Sequence, residues 1–362
     1  MAELLFKKGG FRILSDDVGK LSAKEVNQLI KDAGTTCYQT RETSKKSPEE
    51  FIKMLQTSTH YSVLEHSWFC FSVSILGGSV KEIGFELYKA NSLFCITLGI
   101  AKDLIISGNS QMFNAAYLKN PQNIALKNIY SYLHGKNPEL FPYEVKYEVE
   151  AERFTIGAFP NPELIAKNEI LVHRAMTVEF NNHCRGFTHE DVRHRNGDEK
   201  IASYSQESTR YVDYSKGKVS LDYFKIKFIL PYNDKFNLDW AVNKKIEFFV
   251  DEKEYSFTPQ EFTNLIEGWY RALRKEGLKP EEARQWLSIG LKSQIVQTYN
   301  LNEWRHWFYR RADRAAHPEI RFSAVYLLAE VQKRMPGIFD DFKIHSDLEV
   351  PYAVYIGKNP LI

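Results

Sequence analysis

Phe69, Phe71, Val73 and Ile75 alternate with Cys70, Ser72 and Ser74, and that period of two confines the segment to a strand with one buried face. A second alternation lies far along the chain, where Phe224, Ile226, Phe228 and Leu230 interleave with Lys225 and Lys227. Helix starts around these strands carry the capping-box pattern at Ser22 to Glu25, Ser47 to Glu50 and Thr258 to Glu261. In that pattern a hydroxyl accepts from the amide three residues on, while the carboxylate reaches back to the cap. Pro48 and Pro259 follow two of the caps, at a position where a missing N–H costs nothing. Strands and helices therefore mix without a repeated strand–helix–strand unit. The order predicts an α+β fold of mixed helices and mainly antiparallel sheet, not a doubly wound parallel one. With no internal repeat and no long Pro/Gly/Ser linker, residues 1–362 read as one domain.

A chain of 362 residues, 43% hydrophobic and 26% charged, can bury a substantial core and is not a disordered polymer. Its formal net charge of +2 supplies no general pull towards nucleic acid or an anionic membrane, so any anion must be gripped locally. The apolar run from Leu93 to Ala101 is cut by Lys102 and Asp103 and falls short of the roughly 20 residues that span a bilayer. The amino terminus does not read as a signal peptide. Cys37, Cys70, Cys95 and Cys184 form no CxxC pair and read as free thiols of a reducing compartment. A cytoplasmic protein without disulfides is expected.

Three clusters carry polar chemistry. Between His189 and Tyr214, the cations Arg193, His194, Arg195 and Arg210 crowd together, followed by the hydroxyls and amide of Ser205, Gln206, Ser208 and Thr209. Taken alone, the Arg-His-Arg triplet is a solvated basic turn. With those neighbours it offers the donors that a phosphate monoester or a uracil edge requires. In the second cluster, Trp304, Trp307, Phe308 and Arg311 stand at i, i+3, i+4 and i+7, so an arginine continues an apolar helical stripe. A cation there needs a partner, either Asp313, Glu319 or a distant acid, or an anionic ligand. The third cluster holds His60, Ser62, Glu65 and His66 at the entry to the first strand, where histidines are usually structural. His189 and His194 are five apart, whereas the HExxH helix needs four, and no zinc spacing recurs, so no metal site is expected. Neither GxGxxG nor a P-loop is present.

In this order the clusters resemble the flavin-dependent thymidylate synthases, whose signature is Arg-His-Arg followed by a serine and arginine segment. Here it stands as Arg193-His194-Arg195, Ser203 and Ser208-Thr209-Arg210-Tyr211, preceded by Cys184 to Glu190. Thr36-Cys37-Tyr38 and His60 to His66 match at the amino-terminal side, and Glu282-Ala283-Arg284 with Asn300 to Arg321 at the other. The resemblance implies FAD held by Ser62, Arg193, His194, Arg195, Gln206, Asn300, Leu301, Asn302 and His306, contributed by neighbouring subunits of a homotetramer. It implies dUMP held by Glu190, Asp191, Val192, Arg193, Gln206, Glu207, Ser208, Thr209, Arg210, Arg284 and Arg311. The implied reaction is reductive methylation of dUMP to dTMP, with 5,10-methylenetetrahydrofolate as carbon donor and NADPH-reduced FAD as hydride donor. Arg311 would be the catalytic residue, stabilising negative charge on the uracil, and no cysteine nucleophile would be used.

The chain departs from the family pattern at three places. Asn196 to Lys200 read as an insertion after Arg195, Ser205-Gln206 replaces the Asn-Glu of many relatives, and residues 76–177 read as a mostly helical insertion. Within the last, Leu104-Ile105-Ile106 and Met112-Phe113 are read as packing surface, while Ser107-Gly108-Asn109 is the segment that would approach a ligand. Two rival readings are a non-catalytic nucleotide or RNA binder, using Tyr204, Tyr211 and Tyr214 as stacking surfaces, and a flavin-free degenerate member of the same fold.

Overall fold

The computed structural model describes residues 1–7, 9–75, 79–99, 103–145, 154–157, 167–193, 202–215, 225–346 and 348–357. The chain begins with β1 (Glu3–Leu5) and β2 (Gly10–Ser15), then α1 (Ala23–Tyr38) and α2 (Pro48–Thr57). A 3-10 turn over Tyr61–His66 leads into β3 (Phe69–Ile75). Both helices start where the sequence places them: Ser22 and Ser47 each accept from the amide three residues on, and Glu25 and Glu50 return the bond.

The next region holds α3 (Val80–Ala90), β4 (Cys95–Leu98), β5 (Asp103–Gly108), α4 (Ser110–Lys119), α5 (Ile124–Lys136), β6 (Phe154–Gly157) and α6 (Lys167–His173). Its strands complete an antiparallel sheet with β3, in the order β4-β5-β3-β6. The region expected as a mostly helical insertion holds more helix than strand, and it also supplies three of the four strands of a second sheet. Leu104, Ile105 and Ile106 are fully buried on β5, not on a helix. Ser107 donates no free group outward, since its hydroxyl meets His173 Nδ1 at 2.8 Å, and Asn109 caps α4. That segment is packing. Phe71, Phe113, Tyr130 and Phe141 form the centre of this core, with α1 and α2 against it.

After β7 (Ala175–Cys184) and α7 (Arg185–Asp191) come β8 (Ser203–Gln206), β9 (Lys227–Ile229), α8 (Leu238–Asn243), β10 (Ile246–Val250), β11 (Lys253–Phe257) and α9 (Pro259–Lys275). Thr258 and Glu261 form the third capping box, at the start of α9. The chain continues through α10 (Pro280–Ala283), β12 (Lys292–Asn300), α11 (Leu301–Arg311), α12 (Pro318–Arg334), β13 (Phe342–His345) and β14 (Tyr352–Tyr355). The main sheet has the order β2-β7-β12-β8 and is antiparallel throughout. The short β1–β9 pair is parallel, and in it the predicted second alternation buries Ile226, Phe228 and Leu230; Phe224 lies outside the described residues.

On the main sheet, Phe180 and Tyr299 pack against Trp304, Trp307 and Phe308 of α11 and against α12. His66, in the turn before β3, anchors that turn to two neighbouring strands of the main sheet. Its ring is buried and meets Thr298 Oγ1 of β12 at 2.8 Å and Ser205 Oγ of β8 at 2.9 Å. Burial pushes its pKa down to about 3, so the ring is neutral at pH 7. Among the described residues, no helix is long and apolar enough to cross a membrane.

Candidate functional site

The helix that carries Arg311 starts where the Asn300 side chain accepts from Glu303 N at 2.8 Å. Trp304, Trp307 and Phe308 are fully buried, so helical spacing carries Arg311 to the rim of the same face. Its partner is a distant acid: Nη1 donates to Glu190 Oε2 at 2.6 Å, and Nη2 donates to the Glu190 carbonyl. Arg311 Nε is buried with no acceptor. Burial lowers the pKa of the guanidinium, while the charges of Glu190 and Asp191 act in the opposite direction.

Glu190 is brought there by α7, whose start is pinned by a carboxylate from α12. Glu319 Oε1 accepts from Cys184 N at 2.9 Å, and its Oε2 accepts from Cys184 Sγ at 2.9 Å. His183 Nδ1 lies 3.1 Å from the same carboxylate. Burial raises Cys184 to about 12, with the Glu319 charge adding to the effect, and raises Cys37 to about 11. Burial raises Cys70 as well. None of these three thiols is poised as a thiolate.

Arg311 and Arg193 line one cavity of about 700 Å³ together with Tyr309, Arg310, Asp313 and Tyr355. Three guanidiniums and aromatic walls offer the donors and flat surfaces that an anion carrying a flat ring requires.

A second group gathers where the chain leaves β8. Thr209 Oγ1 accepts from Arg284 Nη1 at 3.0 Å, and Ser208 N donates to the Cys37 carbonyl at 3.0 Å. The exposed Arg210 lies over the Tyr211 ring, 4.4 Å from its centroid. Tyr211 Oη lies 3.1 Å from His60 Nε2, and Tyr38 Oη meets the other nitrogen of the same ring. Burial raises Tyr38 to about 12. Tyr38, at the end of α1, carries no role in the sequence reading; only the matched Thr36-Cys37-Tyr38 segment signals it. Arg210 and Arg284 are not among the residues lining the Arg311 cavity.

Several of the residues expected to meet ligand have partners within this chain. Asp191 is fully buried, accepts from Trp307 Nε1 at 2.7 Å, and faces no open space. Glu207 is buried against Lys292 Nζ at 2.9 Å and accepts from Tyr214 Oη at 2.9 Å. The Gln206 amide donates to the hydroxyls of Thr188 and Ser293. Asn300 is spent on the helix cap, and Leu301 is fully buried, with its amide donating to the Arg174 carbonyl at 2.9 Å. In each case a group that looks free in sequence is drawn inward by the sheet or a helix terminus. Ser62 and Arg193 are exposed, Val192 and Asn302 are half-buried, and His306 is buried, with its pKa lowered by that burial. His194, Arg195 and the Asn196 to Lys200 insertion lie outside the described residues. Among the described residues no cluster of metal-ligating side chains occurs.

The α+β scaffold thus carries a cavity lined by three arginines and three aromatic rings. Residues 166–337 match the family described as Thymidylate synthase complementing protein. The chain is 28% identical to the Flavin-dependent thymidylate synthase of Corynebacterium efficiens over 184 residues, covering 50% of this chain and 67% of that protein. It is 32% identical to that of Pyrococcus abyssi over 165 residues, covering 46% of this chain and 57% of that protein. The family match and these relatives support the flavin-dependent thymidylate synthase family. The alignments span between 57% and 67% of these relatives' own length.

Among solved structures, Thymidylate Synthase X from Helicobacter pylori with FAD and dUMP superposes with a TM-score of 0.33 at 22% identity, covering 47% of this chain and 74% of that one. A UMP/dUMP methylase from Streptomyces cacaoi bound with 5-Br UMP superposes with a TM-score of 0.36 at 13% identity, covering 94% and 95%.

Proposed function

We propose that this protein is an FAD-dependent thymidylate synthase that converts dUMP to dTMP with 5,10-methylenetetrahydrofolate as carbon donor and NADPH as reductant. The observation that carries the reading is Arg311, a guanidinium held by Glu190 at the wall of a cavity it shares with Arg193, with its Nε buried and lacking an acceptor. That orphaned donor and the aromatic walls fit a nucleotide ring and a flavin. Arg193 and Ser62 would hold FAD from this chain, and when bound FAD supplies the hydride that reduces the transferred carbon.

The residues of the chain do the rest. Arg311 faces the uracil edge and stabilises negative charge as C5 becomes nucleophilic. Arg210 and Arg284, with the Ser208 and Thr209 hydroxyls, bind the phosphate, each charge-assisted bond contributing roughly 1.5 to 3 kcal/mol. Because this second group does not line the Arg311 cavity, a homotetramer in which one chain presents Arg311 to the phosphate group of another completes the site. The protonated thiols of Cys37, Cys70 and Cys184 agree with a route that needs no cysteine nucleophile.

The test is release of tritium from C5-labelled dUMP coupled to NADPH oxidation, with the visible spectrum of the purified protein recorded first. A yellow protein that turns over supports the reading. A colourless protein that binds dUMP without tritium release favours the flavin-free binder.

A further inference from the structure

Trp307 and Arg311 are one helical turn apart on the same face of α11, while Asp191 and Glu190 are consecutive at the end of α7. Two rungs therefore join the helices. The inner one is Asp191 to Trp307 Nε1 at 2.7 Å, fully buried, and the outer one is Glu190 to Arg311 Nη1 at 2.6 Å, at the cavity wall. From β12 the Gln297 amide, turned so that its nitrogen faces the acid, donates to both Asp191 oxygens. Both of these hydrogen-bond donors are neutral, and among the described residues no ion pair is made by Asp191.

The charged and titratable groups around the rungs come from each packed element. Arg311 acts on Asp191 from α11, and Tyr299 of β12 responds to Asp191. Glu190 of α7 and Arg193 beyond it act on Arg311. Glu319 of α12 meets the opposite end of α7, at Cys184.

We infer that Asp191 is a positioning residue for Arg311, whose proton sets how strongly the guanidinium is drawn back from the cavity. This rests on the reading of Arg311 as the group that faces the substrate. With the proton off, the buried carboxylate adds to the pull of Glu190. With the proton on, Arg311 answers to Glu190 and to an anion in the cavity. Burial brings the switch into the neutral range, raising Asp191 to about 7 against the opposing effects of Trp307 and Arg311.

The experiment follows the rate at which phenylglyoxal modifies Arg311 in the full-length protein, read by peptide mass spectrometry at pH 6 and pH 8. Asp191→Asn keeps an acceptor for Trp307 and removes the charge. A unit charge within about 10 Å at an effective dielectric of about 20 gives at least roughly a tenfold effect. Arg311 of the variant is expected to react roughly tenfold faster than wild type at pH 8 and at a similar rate at pH 6. Equal variant-to-wild-type ratios at both pH values overturn the inference.

Trp307→Phe removes one donor to the carboxylate and serves if Asp191→Asn does not fold. Its rate step is expected to move to higher pH, and an unmoved step equally overturns the inference. Protection of Arg311 by added dUMP tests the underlying site assignment separately. Its absence sinks that assignment, while the rate ratios still decide the role of Asp191.

Discussion

Replacing His66 with leucine removes a ring that bridges two strands of the main sheet, β8 and β12, without changing the apolar volume much. Ser205 and Thr298 then lose a buried partner, although Thr298 keeps Thr177 Oγ1 at 2.7 Å. A buried hydroxyl left unpaired costs about 1 to 3 kcal/mol, so His66→Leu should lose about 2 to 4 kcal/mol at pH 7.5. The pH dependence is a sharper check. The folded ring has its pKa lowered from 6.5 to about 3, so between those values the unfolded chain binds a proton that the folded chain refuses. Stability is complete above pH 6.5 and is lost as pH falls towards 3, by at most about 5 kcal/mol. Roughly 2 kcal/mol of this falls between pH 6.5 and 5. Urea unfolding of both proteins, at one protein concentration, should show wild type losing more stability than the variant over that interval. Parallel profiles from pH 7.5 to 5 refute the claim that the ring is held neutral by burial.

Arg311→Ala should abolish tritium release, by 10²-fold or more if the guanidinium stabilises developing charge, while circular dichroism stays unchanged. Arg210→Ala and Arg284→Ala should chiefly raise the KM for dUMP, each by roughly tenfold or more, and titration calorimetry should show weaker dUMP binding in both. Gly34→Ala places a Cβ 2.5 Å from Phe51 Cε1 where α1 meets α2, and should lower the unfolding midpoint by an amount corresponding to about 1 to 3 kcal/mol.

The local chemistry was legible wherever short-range rules decide structure. All three capping boxes form at the predicted serines and threonine, because cap geometry involves only four consecutive residues. Helical spacing alone marks Arg311 as a cation needing a partner, but the partner, Glu190, is 121 residues away and no local pattern names it. The strand β5 was hidden because Leu104 to Ile106 are buried on both faces and show no alternation, and β4 and β6 because each is only four residues long. The inward partners of Asp191 and Glu207 were hidden for a related reason. A carboxylate beside basic residues looks solvent-facing until the packing shows an indole or an ammonium waiting inside.

The strand order of the main sheet governs when the protein can be assembled during synthesis. Its β2, β7 and β12 neighbours come from residues 10–15, 175–184 and 292–300, so the ribosome must deliver most of the chain before this sheet can close. The β4-β5-β3-β6 sheet draws only on residues 69–157 and is complete while the helix that carries Arg311 is still untranslated. A nascent chain halted near residue 200 should thus already protect Phe71, Phe113 and Phe141 from solvent, with β7 still awaiting its partner.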